Sequence, residues 1–463
     1  MKTSIAIIGG GYAGTILARK IIEQTVNVQI TIFNCSTEIS KGVAYDCNQK
    51  SSLLNVPAGK ISALPEDVNH FLDWCLKHPT YKNDSRELIA GAFLPRQLYG
   101  AYLNEVWEET VKIAKDNNVS LQVLNEKVNH LVVADNHVNL QTESSTYQFD
   151  KCVLATGNEL PGKPKNIESE FLNSDRYYNN PWDVDYHKID KSLPTLIIGN
   201  GLTMVDIVLN MRDNHYYQKI ISISPNGFNI LPHRNFGFTY TGALANIEFP
   251  ISLLELITLF NREMKNLKKF GVSPEPIIDA LRPNTQKIWQ QFTADEKAKF
   301  MARVRHLWGV ARHRIPFVSY DTIMKEQVNQ QLNILAGKIT SVQENKDGIE
   351  VKIWDKRTKR EVSVMVGAII NCTGPETNIT KSNNVLLNQL YAEGIINQDP
   401  LFLGISTNCK NYKTLQKNGA ENQNIYAIGS LLKGELWETT AVSDLRVQAK
   451  ELAQELTKDI PKT

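Results

Sequence analysis

Six residues near the start of the chain, Gly9-Gly10-Gly11-Tyr12-Ala13-Gly14, have the spacing G-x-G-x-x-G. They follow an apolar run, Ile5-Ala6-Ile7-Ile8, and lead into a segment with the apolar spacing of a helix. In such a strand–turn–helix unit each glycine has its own reason. Gly9 makes the tight turn, Gly11 lets a pyrophosphate come close to the backbone, and Gly14 lets the helix pack on the strand. The pyrophosphate of a dinucleotide then rests on the N–H groups and positive dipole end of the helix. An acid usually follows the second strand and holds the ribose hydroxyls. Here that position, after Ile30-Thr31-Ile32-Phe33, is Asn34. Its carbamoyl oxygen accepts a hydrogen bond without charge assistance, and Glu38 could compensate from the loop.

The device recurs at Leu196-Ile197-Ile198-Gly199-Asn200-Gly201-Leu202-Thr203-Met204, with Met204 where the third glycine would stand. Gly199, Gly201 and Thr203 are therefore expected to contact a second dinucleotide, for which a nicotinamide cofactor is the natural ligand, the alternative being a vestigial fold that binds nothing. A 2′-phosphate would require arginines past the next strand. That strand, Ile220 to Ile223, runs into Ser224-Pro225-Asn226-Gly227, which has none, and His233 and Arg234 follow a few residues on. These residues leave NADH and NADPH both open.

The elements that must carry the two turns follow from pattern. At 463 residues the chain suits two or three domains, and a hydrophobic share of 42% is that of an ordinary globular protein. Apolar spacing predicts helices over Val68–Leu76 and Tyr99–Ala114, a loop over Leu53–Ala63 and a short buried strand over Lys151–Thr156. Asn158–Pro194 reads as a crossing, Ser252–Met301 as mostly helical, and strand alternation returns after Val318, as in Gly348–Trp354 and Ala368–Asn371. A strand over Ile425–Ile428 and a helix over Val442–Leu456 close the chain. The expected architecture is α/β, with two Rossmann-like dinucleotide-binding domains and a helical segment. The second domain (166–330) is inserted into a discontinuous first one (1–165 and 331–463).

Composition narrows the function. A formal net charge of +2 favours no nucleic-acid partner. The longest apolar stretch, Phe249–Phe260, is too short to span a bilayer, and the opening residues resemble no secretory signal. The six cysteines, at 35, 47, 75, 152, 372 and 409, form no close pair. With nine scattered histidines they make no zinc spacing either. These features predict a reduced cytoplasmic protein with no metal and no dithiol chemistry. They are silent on oligomeric state.

Several further segments carry a resemblance: Gly42-Val43-Ala44-Tyr45, Leu53-Leu54-Asn55-Val56-Pro57-Ala58-Gly59, Phe93-Leu94-Pro95-Arg96 with Leu98-Tyr99-Gly100, Gly201–Asp206, Arg312-His313-Arg314 and Gly434–Thr439. In this order they resemble a bacterial family of FAD-NAD(P)-binding proteins, distantly similar to flavin-dependent monooxygenases. The resemblance implies that Gly9, Gly11, Gly14, Asn55 and Arg96 surround FAD, and that Met204 is usual at its position. The activity it suggests is flavin-dependent hydroxylation of a small molecule, with NADPH or NADH as reductant. Ala155-Thr156-Gly157 and Cys372-Thr373-Gly374 each end an apolar strand, as where a chain passes between two dinucleotide folds. Ile425–Gly429 resembles the strand that brings a residue to the flavin ribityl chain, with Ser430 in place of the more usual Asp. The helix beyond Trp437-Glu438-Thr439-Thr440 would then turn its positive end toward the flavin.

Flavin chemistry belongs to the cofactor, so no nucleophile–base constellation is expected, and no catalytic residue is named. The basic stretch Arg303, Arg305, His306, Arg312, His313 and Arg314, with Trp308, could hold an anionic substrate or the nicotinamide phosphates. Arg303 and Arg305 read as a solvated helix face, and Arg312-His313-Arg314 as a substrate-site segment. Trp182 and Trp437 read as flavin-pocket or core aromatics. The competing readings are a flavin dehydrogenase or oxidase, and a non-catalytic FAD-binding sensor or scaffold.

Overall fold

The computed structural model describes residues 2–36, 38–46, 51–234 and 238–461; Cys47 lies outside them. The chain forms two compact units, Met1–Glu159 with Glu376–Thr463, and Leu160–Pro375.

The first unit is organised on β1 (Thr3–Ile8), where Ile5, Ala6 and Ile7 have no solvent exposure. A strand covered on both faces must be continuously apolar, and this one is. The helix Tyr12–Ile22 follows it, then β2 (Val28–Phe33), which pairs with β1 in parallel. After the helix Arg96–Asp116 comes β3 (Ser120–Leu124), parallel to β2. A small antiparallel sheet, β4 (His130–Val133), β5 (Val138–Gln141) and β6 (Thr146–Phe149), precedes β7 (Lys151–Leu154). β7 lies parallel to β1 on its other side.

The second unit opens with β8 (Tyr177–Tyr178), β9 (Thr195–Ile198) and β10 (Ile220–Ser224), with the helix Leu202–Asp213 between the last two. Short helices fill 253–328, a stretch that includes one π-helical turn at Phe300–Val304. Then come β11 (Leu332–Asn345), β12 (Gly348–Asp355), β13 (Arg360–Val366) and β14 (Ala368–Asn371), giving the order β13-β12-β11-β10-β9-β14-β8. The chain finally returns as β15 (Thr407–Asn408), β16 (Lys413–Leu415) and β17 (Glu421–Ala427), and β17 docks parallel to β7. The first sheet is thus β15-β16-β17-β7-β1-β2-β3. Four strands of its parallel part, β3-β2-β1-β7, correspond in order to β11-β10-β9-β14, while the fifth differs: β17 comes last in its unit and β8 first. The two dinucleotide-type folds expected from the sequence are both present.

Two boundaries differ. The first unit resumes at Glu376, not at 331. β11 runs parallel to β10 from Ile220↔Leu332 to Ser224↔Ala336, and β14 runs parallel to β9, so 332–371 completes the second sheet. Alternation marks a strand but not its partner, and β12 and β13 extend that sheet as an antiparallel hairpin. The forward crossing falls at Glu159/Leu160 rather than at 165/166.

Asn371, at the end of β14 and without exposure, ties the second unit's entry together. Its Nδ2 donates to Gly162 O (3.0 Å), Tyr177 Oη (3.2 Å) and Asn179 Oδ1 (2.9 Å). Its Oδ1 accepts from Thr373 N (3.2 Å) and Thr373 Oγ1 (2.8 Å). Asn371→Ala removes all of these and leaves buried groups unpaired, so it should destabilise the protein by about 2–3 kcal/mol in denaturant unfolding.

Candidate cofactor sites

In the first unit the turn after β1 is fixed by a collision. Gly9 has φ +122°, and a Cβ built there would lie 2.1 Å from the carbonyl oxygen of Ala155, the residue after β7. A Cβ on Gly14 would lie 2.0 Å from Gly9 O. Packing alone therefore demands glycine at both positions. Gly11 is different. Its backbone is ordinary and extended, and among the described residues a Cβ there would meet only the Gly42 backbone, at 3.5 Å. Among the described residues there is room for a side chain at Gly11, so internal packing does not call for glycine there. Gly11 offers no side-chain cap and the first helical turn holds no acid, which suits an anion.

Other residues expected at the cofactor lie in the same unit. Arg96 heads its helix, donating Nε to Leu53 O (3.0 Å) and N to Ser52 O (2.8 Å). Leu54 N donates to Leu94 O at 2.8 Å, so the segment bearing Asn55 and the one bearing Arg96 run side by side. Burial pushes the Tyr45 hydroxyl up to about 12, against the opposing pull of Arg96. Asn34, directly after β2, is buried. Its Nδ2 donates to Ser36 O (2.6 Å) and Glu38 O (3.1 Å), while its Oδ1 faces Gly10. A carboxylate would oppose both of those carbonyls, which accounts for asparagine. The Glu38 carboxylate pairs with Lys41 Nζ at 2.9 Å.

Thr156 and Gly157 follow β7. The Thr156 hydroxyl is buried and has no partner among the described residues, while Gly157 (φ +73°) borders open space. Ser430 Oγ donates to Gly157 O, so the β7 and β17 ends meet. Gly429 (φ +82°) is held through its N to Gln448 Oε1 (3.1 Å) and through its O to Thr439 Oγ1 (3.1 Å). Trp437 is buried at φ +59°, ψ −70°, an uncommon conformation for a bulky residue, with Lys433 Nζ 5.5 Å over its ring. Glu438 beside it is half-buried. The helix Val442–Thr457 carries Asp444 in its first turn, whose charge offsets the dipole there.

The second unit repeats the device. Gly199 has φ +103°, and a Cβ there would lie 2.3 Å from Cys372 O. At Gly201, which caps the helix Leu202–Asp213, a Cβ would meet nothing within 4 Å among the described residues. Again there is no side-chain cap and no acid in the first turn. Thr203 is half-buried in that turn, and Met204 fills the core beside Ile197 and Ile207. Gly374 (φ +88°) borders open space, as Gly157 does.

The basic segment is brought to the chain beyond β10. Ile315 N donates to Leu231 O (3.1 Å) and His233 N to Ile315 O (2.8 Å), which sets His233 and Arg234 alongside Arg312-His313-Arg314. Arg314 is buried and ion-paired with Asp279, so it holds the segment in place, whereas His313 is exposed with Nδ1 3.1 Å from Gly309 O. Trp182 is 39% exposed and is not a core residue. Burial raises the Cys75 thiol to about 12 and lifts Cys152 and Cys372 further, which makes poor nucleophiles of all three. No group of three potential metal ligands occurs among the described residues, and no helix there is long and apolar enough to cross a membrane.

Two like sheets, each with a glycine turn under a helix N-terminus, define a protein of the paired dinucleotide-fold class. Residues 6–159 match the family described as FAD-NAD(P)-binding, so the first unit carries an FAD-NAD(P)-binding domain. An uncharacterized protein, YdhS, of Escherichia coli (strain K12) is 24% identical over 220 residues, 46% of this chain and 40% of that protein. The chain thus matches less than half the length of that curated relative. Among solved structures, L-lysine 6-monooxygenase from Pseudomonas syringae superposes with a TM-score of 0.67 at 14% identity, over 100% of both chains. Ornithine N-hydroxylase from Kutzneria sp. 744, in its FADred-NADP+-L-orn form, gives 0.66 at 15%, over 99% of both. These likenesses establish the fold.

The unpartnered Thr156 hydroxyl suits a ligand's acceptor or donor. Thr156→Val keeps the volume and breaks no internal hydrogen bond, so the thermal midpoint of the flavin-free protein should stay within about 2 °C of wild type. FAD retention, read from the absorbance of the purified variant, should fall.

Proposed function

We propose that this chain is an FAD-dependent oxidoreductase reduced by NADPH or NADH, of the flavin monooxygenase type, hydroxylating a small molecule. The observation that carries the reading is the pair Gly11 and Gly201. Each sits at a helix N-terminus where the chain's own packing gives no reason for glycine. In the first unit Gly9, Gly11 and Gly14 would seat the FAD pyrophosphate, Asn34 Oδ1 would face the ribose, and Arg96, Asn55 and Thr156 would border the rest. In the second, Gly199, Gly201 and Thr203 would seat a nicotinamide dinucleotide. Bound FAD would supply the redox chemistry, with the nicotinamide as hydride source and dioxygen as acceptor. The chain's part is to hold and orient. Ser430 fixes the Gly157 turn, Gln448 and Thr439 fix Gly429, and Arg314 on Asp279 positions Arg312 and His313 for an anionic group of the substrate. Hydroxylation is supported by the fold's company, which includes ornithine and lysine hydroxylases.

Purified protein should be yellow and release FAD on denaturation, and Gly11→Val should lose the colour. Gly201→Val should stay folded and yellow, because nothing among the described residues lies within 4 Å of the new Cβ. It should nevertheless resist bleaching by NADPH or NADH in stopped-flow mixing, with at least a tenfold loss of rate, about 1.4 kcal/mol. Bleaching of that variant at the wild-type rate would remove the nicotinamide site from the second unit.

A further inference from the structure

The ribose next to the adenine of a dinucleotide on the Gly199–Gly201 turn would lie at the end of β10, where the local sequence Ser224-Pro225-Asn226-Gly227 offers no cation. The fold supplies one from elsewhere. The last parallel pair of β10 and β11 is Ser224↔Ala336. The turn is folded against Ala336: Gly227 N donates to Ser224 Oγ (3.0 Å), and a Cβ on Gly227 would lie 2.9 Å from Ala336 Cβ. Lys356, from the far end of the β12–β13 hairpin, is bound to this place at both ends. Its backbone N donates to Ala336 O (2.8 Å), and its Nζ donates to Pro225 O (2.5 Å). An ammonium has three protons, and this bond uses one.

We propose that Lys356, with Arg305 and His306 from the helix Arg305–Arg312, forms a 2′-phosphate subsite at the end of β10, so that the second unit prefers NADPH to NADH. This rests on reading the second unit as the nicotinamide site. Arg305 Nη2 lies 3.3 Å from His306 Nε2. Desolvation depresses the proton affinity of His306, and the charges of Arg305 and Lys356 depress it further. The adjacent acid, Asp355, is buried and turned into its own loop, accepting from Arg357 N at 2.7 Å and Thr358 N at 3.4 Å. A phosphomonoester dianion would gain charge-assisted hydrogen bonds from the lysine and the guanidinium, whereas a bare 2′-hydroxyl finds no carboxylate in the turn.

Calorimetric titration of the FAD-loaded protein with 2′,5′-ADP and with 5′-AMP tests this directly. Wild type should bind 2′,5′-ADP at least about tenfold more tightly. Lys356→Gln and Arg305→Gln should each cut that preference several-fold while leaving the 5′-AMP affinity unchanged. Both residues are exposed, and retained flavin absorbance reports that each variant is folded. Equal wild-type affinities, or variants that weaken both ligands alike, would overturn the subsite and leave the nicotinamide reading standing. If neither ligand binds, both fall together.

Discussion

In each unit the strand that flanks the first one delivers its next carbonyl into the space that a side chain on the turn glycine would occupy. Ala155 O does so to Gly9, and Cys372 O to Gly199. Because that carbonyl cannot move without breaking the register Ile8↔Leu154 or Ile198↔Asn371, the turn is locked at positive φ. The following helix then starts at a set distance and direction from the strand. Everything that would hold a phosphate depends on that start. The flanking strand also places its own next residues, Thr156-Gly157 and Thr373-Gly374, at the rim of the same turn.

The two copies solve the helix contact differently. A Cβ on Gly14 would collide with Gly9 O, so the first helix packs bare against its turn. In the second unit Met204 occupies the corresponding position and is buried in the core with Val205 and Val208. The side chain becomes part of the hydrophobic contact between helix and sheet, and a flexible thioether suits such an irregular gap. The helices nonetheless share what matters for an anion: no capping side chain and no acid in the first turn.

Local devices were the legible ones. Gly9, Gly11 and Gly14 declare themselves because spacing, strand and helix lie within twenty residues, and fully buried parallel strands are bound to read as apolar runs. The allegiance of 332–371 could not be read, since pairing with β10 or with β1 would produce the same alternation. Asn34 looked like a weakened ribose acid, yet its amide holds the loop carbonyls of Ser36 and Glu38, a contact that only folded geometry reveals. The basic segments split in a similar way. Arg314 proved to be ion-paired to Asp279, while Lys356 attracted no notice in sequence because the turn it reaches lies 131 residues away.

The interruption of the first unit also bears on how the protein is made. β7 acquires its neighbour β17 only after the whole of Leu160–Pro375 has been synthesised, whereas the second unit is contiguous. At roughly 5–20 residues per second on the ribosome, the inserted unit can fold while the N-terminal half still has β7 as an open, apolar edge. Cys152, Val153 and Leu154, all without exposure in the finished sheet, lie on that strand.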